Sequence, residues 1–106
     1  MKLAVEIYNL TKKLPKDEMY GLSNQMRRAA ISIPSNIAEG HARKSTKEYI
    51  NFLSIAQGSK AELDTQLLLS IELNYLTESE TAPILNLLYE ISKMITTLSQ
   101  NLTDLL

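Results

Sequence analysis

Few residues in this chain could carry out bond-making chemistry. There is one histidine, His41, no cysteine, and only three glycines, each isolated. His41 follows Glu39 across Gly40, which is not the spacing that brings two metal ligands onto one helix face. Bundle-type dinuclear sites need inward Glu-x-x-His pairs, and none is present. No thiol exists for a Cys–His pair, and no serine has convergent surroundings that would make it a triad nucleophile. Isolated glycines form no phosphate-cradling loop. The expectation is a non-enzymatic protein without a cofactor or metal.

The more informative polar residues recur with helical spacing. Gln25, Arg28, Ser32, Asn36 and Glu39 follow one another at intervals of three and four, so they share one face of a helix. Gln57, Ser59, Glu62, Thr65 and Gln66 form a counterpart further along. Facing polar stripes can close into a hydrogen-bond network that fixes helix register or subunit pairing, and each unpaired buried member would cost about 1–3 kcal/mol. We expect the first five to form such a structural network rather than a ligand pocket. Arg27 and Arg28 diverge by about 100° around a helix, so only one can serve it. With Arg28 in the network, Arg27 is left for an outside partner. Arg27, Arg43, Lys44 and Lys47 are the candidate nucleic-acid contacts, extended by His41 and by Lys12, Lys13 and Lys16. No aromatic residue interleaves with these charges for base stacking.

The net charge of −1 conceals a division along the chain. Residues 1–60 hold ten basic groups against five acidic ones, whereas residues 61–106 hold Lys93 alone against seven acidic groups. Complementary pairing between helices or subunits is the simplest use of that asymmetry; a basic face for an anionic partner is the other. A length of 106 residues, 44% hydrophobic and 22% charged, suits one globular domain over residues 1–106. No apolar run approaches the roughly 20 residues of a membrane span. Met1–Leu10 carries Glu6 and Asn9 where a signal core would be, and a cysteine-free chain suits a reducing compartment. A cytoplasmic protein is expected.

These residues must be positioned by helices, since no stretch alternates in the manner of a strand. Leu3, Ile7, Leu10 and Leu14 predict a first helix over about 2–13, stopped by Pro15. Asp17 and Glu18 suit the start of a second helix, whose apolar stripe (Met19, Leu22, Met26, Ile33, Ile37) runs to Gly40 as its terminator, with a kink at Pro34. Ser45 and Glu48 match a capping box opening a third helix that runs to about Ile71. Thr77 or Ser79 caps a fourth, and Pro83 fits if it falls in the first turn. The fold class expected is all-α, an antiparallel up-down four-helix bundle. The short first helix leaves one end of the core uncovered. Off-stripe apolar residues such as Tyr8, Ile31, Leu68, Leu69 and Tyr89 point to a homo-oligomer.

The segment Leu14–Ala30 (LPKDEMYGLSNQMRRAA), followed by Ile31–Gly40 (ISIPSNIAEG), resembles the four helix bundle protein family, the 23S ribosomal RNA intervening-sequence proteins. The likeness continues through Lys47–Ser59 and through Glu62, Leu63, Thr65 and Gln66. The resemblance implies a four-helix bundle assembled as a homopentamer, with no catalytic residues. Some members are encoded within 23S ribosomal RNA intervening sequences. A related branch, the accessory variability determinants of diversity-generating retroelements, resembles a basic barrel that binds nucleic acid and a reverse transcriptase. This chain departs from that branch in its acidic balance and its short first helix. The reading that results is a scaffold for RNA or an RNA-associated protein, with a structural or protein-interaction oligomer that binds no nucleic acid as the alternative.

Overall fold

A computed structural model describes all residues from Met1 to Leu106. It contains four α-helices and no strand: α1 (Lys2–Thr11), α2 (Leu22–His41), α3 (Thr46–Glu72) and α4 (Glu78–Thr103). Each helix packs on its neighbours in sequence, α1 also packs on α4, and the diagonal pairs keep their Cα atoms more than 8 Å apart. That is the neighbour order of an up-and-down bundle. The core runs along its axis through Ile7, Met26, Ile33, Leu53, Leu67 and Leu88, each nearly or wholly inaccessible.

Several helix boundaries differ from expectation for identifiable reasons. Asp17 and Glu18 do not open α2; they lie in a single 3₁₀ turn, Lys16–Glu18, and α2 starts only after Gly21. Met19 therefore lies outside the helix and half of it is exposed. Gly40 does not end α2, which runs on to His41. Its role is a close approach: a Cβ there would lie 2.8 Å from Cβ of Phe52 and 2.9 Å from Cδ1 of Tyr49. Pro34 is accommodated within α2 without a break.

At the head of α3 the Ser45 hydroxyl accepts from the Glu48 amide at 3.3 Å, but Glu48 does not reciprocate. Its carboxylate turns towards Arg43 instead. The complete capping box is at α4. There Thr77 accepts from the Glu80 amide at 3.1 Å, and Glu80 accepts from the Thr77 amide at 2.9 Å. That cap starts α4 early enough to leave Pro83 in the second turn rather than the first. Asn74, at φ 61°, turns the chain between α3 and α4 in the left-handed region that asparagine tolerates.

The helices are unequal: α1 has 10 residues, against 20, 27 and 26 for the others. At the helical rise α1 covers about 15 Å of partners that run to about 40 Å. The molecule is correspondingly long, 46 × 24 × 19 Å, with a radius of gyration of 14.8 Å. A domain of this length would average about 13 Å. Its exposed surface of 6664 Å² also exceeds, by roughly 700 Å², the size rule for its mass.

Candidate interaction surfaces

The stripe Gln25–Glu39 resolves into three different settings. In its centre the Ser32 and Ser59 hydroxyls meet at 2.8 Å between α2 and α3, and the Asn36 amide donates to Ser32 Oγ and to the Ser32 carbonyl, both at 2.8 Å. Ser32, Ser59 and Asn36 thus make one hydrogen-bonded contact between α2 and α3. Gln25 and Arg28 do not join it. They line an open polar cleft of about 450 Å³ with Ser32, Ser59 and Glu62, and neither side chain has a hydrogen-bond partner. Glu39 lies outside and pairs with Arg43 one turn on.

Arg28, expected in the network, stays out of it, and Arg27, expected to be left for an outside partner, is held on one side by α1. Arg27 is engaged: its Nε donates to the Thr11 hydroxyl at 2.8 Å and its guanidinium stacks over the Tyr8 ring at 4.9 Å. Arg28 is the exposed, unpartnered one. Sequence spacing shows that the two diverge; it does not show which of them faces α1.

The counterpart on α3 also divides. Ser59 meets Ser32, whereas Gln57 faces the opposite neighbour. Its amide donates to the Ser92 carbonyl and Thr96 Oγ1, both at 3.0 Å, and its oxygen accepts from the Ser92 hydroxyl at 3.0 Å. Gln57 thus locks α3 to α4. Thr65 bonds back to the Ala61 carbonyl. Gln66 donates to Glu62 at 3.1 Å while its own oxygen is buried without a donor.

The basic residues do not form one patch. Lys12, Lys13 and Lys16 lie at the α1–α2 end, whereas His41 ends α2 and Arg43, Lys44 and Lys47 follow it. A 20-residue helix separates them by about 30 Å. Arg43 is held by Glu39 and Glu48 and stacks over Phe52 at 5.0 Å. Lys13 bonds Glu80 at 2.7 Å, and this contact, followed by the Thr77 amide, lowers the Glu80 carboxyl from 4.5 to about 2. Lys44 and Lys47 remain exposed without an ion-pair partner. His41 lies edge-on to Tyr49 at 5.8 Å, and no three acidic or histidine side chains converge on a common point.

The surface least expected from residue types alone is apolar. Where α1 gives out, a groove of about 650 Å³ opens between α2 and α4, with Ile37 on one side, Met94, Ile95 and Leu98 on the other, and Leu53 of α3 between them. Met94 is 70% exposed beside it. Further apolar side chains lie open on the outer faces: Val5, Ile31, Ile55, Leu68, Leu69 and Tyr89 are each exposed over two-fifths of their surface or more. No helix is long and apolar enough to cross a membrane.

Comparison with known proteins agrees with this architecture. The solved structure of a protein of unknown function from the S23 ribosomal protein family of Bacteroides thetaiotaomicron superposes with a TM-score of 0.85 at 32% identity, over 92% of each chain. No curated protein matches the chain. The family model described as 23S rRNA-intervening sequence protein matches residues 1–97, and the chain belongs to that family.

Proposed function

We propose that this protein is a non-enzymatic, homo-oligomeric scaffold, pentameric as the family resemblance implies, and that its assembled surface holds RNA or an RNA-associated protein in the cytoplasm. The groove that α1 leaves open carries the assembly half of this reading. Its apolar walls, at about 25 cal/mol per Å² removed from water, favour a second copy of the chain as cover. The opposed charge of the two halves of the sequence supports the same occupant, since the basic half of one subunit can meet the acidic half of the next.

The test is the mass in solution. Light scattering should give a multiple of 11.9 kDa for the wild type. Met94→Glu, which alters an exposed side chain, should reduce that mass while helicity is kept. A wild type that remains at the monomer mass at tens of micromolar would end the assembly reading.

Exposed Lys44 and Lys47 favour the RNA half. Anisotropy titration of a structured RNA against an unrelated duplex, at low and near-physiological salt, separates specific binding from counterion release. Binding lost at the higher salt for both would leave an oligomer that contacts only protein.

A further inference from the structure

A smaller cleft of about 230 Å³ opens where the end of α1 meets the start of α2. Pro15 and the 3₁₀ turn fold the chain back there, so Lys12 and Lys16 of the connection come beside Ser23 and Arg27 of α2. Three cations line the cleft and no carboxylate does. Of the nearby acids, Asp17 lies in the 3₁₀ turn and is not part of the cleft lining. Glu80 takes Lys13, and Glu18 accepts the Tyr75 hydroxyl at 2.9 Å on the side of the α3–α4 turn.

Two features distinguish this cleft from a chance cluster of surface charge. Arg27 is held in place by Thr11, whose hydroxyl also bonds the Ile7 carbonyl at 2.8 Å, and by the Tyr8 ring. Its Nε is used, while its terminal Nη groups have no protein acceptor. Ser23 is buried, 3% exposed, yet its hydroxyl has no hydrogen-bond partner and it forms part of the cleft wall. In addition Gly21 gives α2 no side-chain cap, so the first amides of a 20-residue helix are uncapped beside Ser23.

We propose that this cleft is a phosphate-binding site. A planar fork on Arg27, two mobile ammonium groups and a hydroxyl suit a tetrahedral anion of more than one charge; one carboxylate would leave two cations unmatched. Arg27 orients the group, Lys12 and Lys16 close over it, and Ser23 donates from below. The site does not depend on assembly, because the apolar groove lies at the other end of the bundle. It deepens the RNA reading only as to source, since the phosphate could be free inorganic phosphate or the backbone of a nucleic acid.

Isothermal titration with inorganic phosphate in chloride at constant ionic strength tests it, on the full chain and three variants. Saturable binding at one site per chain is expected. The double change Lys12→Gln with Lys16→Gln should weaken it by about tenfold or more, and Ser23→Ala by a few-fold, as befits loss of charge-assisted donors. Lys2→Gln, at the exposed start of α1 and outside the cleft, should leave it unchanged. Circular dichroism confirms that each variant is folded. Absence of saturable heat, or an equal loss in Lys2→Gln, overturns the site. A second arm titrates RNA with and without phosphate. Displacement of RNA by phosphate supports the site with the backbone as its occupant. Phosphate binding without effect on RNA supports it as a site for free phosphate.

Discussion

Two glycines in the long helices make opposite demands on the same substitution. Gly58 lies in the middle of α3, in ordinary helical backbone, with nothing within 4 Å of where a Cβ would sit. Alanine there should gain helix propensity, about 0.5–1 kcal/mol of stability. Gly40 sits in the last turn of α2, where the same Cβ would come 2.8 Å from Cβ of Phe52 and 3.3 Å from the Tyr49 carbonyl oxygen. Both atoms are fixed to the α3 backbone, so relief requires the helices to part by several tenths of an ångström. Such overpacking costs about 1–3 kcal/mol, more than the propensity gain. Gly40→Ala should thus lose about 1–2 kcal/mol net, and the two variants should melt roughly 10 °C apart. Thermal and urea unfolding followed by circular dichroism, at one fixed protein concentration, measure both. Gly40→Ala as stable as the wild type would refute the close approach of α2 and α3. A destabilised Gly58→Ala would refute the openness of that face and place another helix against it.

The remaining expectations can be checked on the same melts. Thr77→Ala removes the capping box of α4 and should cost about 1 kcal/mol. Ser59→Ala breaks the hydroxyl pair with Ser32 and should cost about 0.5–1.5 kcal/mol; no change would show that the pair does not bind α2 to α3. Gln66→Leu removes a buried acceptor that has no donor and should be neutral or stabilising, the sign of the urea midpoint shift deciding. Glu80, depressed to about 2 from 4.5, contributes stability that is fully present above its unfolded value and lost as pH falls through the folded one. The acid limb of a pH–stability curve should therefore flatten below about pH 4.5 in Lys13→Gln, because its first cause of depression is removed.

Much of the helix plan can be read from the residues, and the failures have a common physical origin. The apolar spacing through α4 and the cap at Ser45 depend on local chemistry, and both locate helices where the structure has them. Asp17 and Glu18 are equally local, but acidic residues suit a 3₁₀ turn as well as an α-helix start, and α2 starts only after Gly21. Gly40 looks like a terminator because a glycine near a helix end commonly is one; its actual cause is the approach of α3, which no local pattern contains. The different settings of Arg27 and Arg28 have the same origin, since only the position of α1 distinguishes them. The separation of the two basic ends, by contrast, follows from the length of α2 alone and was open to arithmetic. The groove was foreseeable as a mismatch in helix lengths, though not the residues that line it.

The shortness of α1 also bears on how the molecule opens. Because α2 and α3 share the most extensive packing and are joined by four residues, this hairpin can form early from near neighbours in sequence. Ten residues held mainly by Leu3, Ile7 and Leu10 are the cheapest part of the native state to release. Amides of α1 should therefore exchange with solvent through a local opening well below the global unfolding free energy, while those around Leu63 and Leu67 wait for the whole domain. Each such opening would lengthen the apolar groove along the bundle and would loosen Arg27 from Thr11, so the two ends of the molecule share one fluctuation.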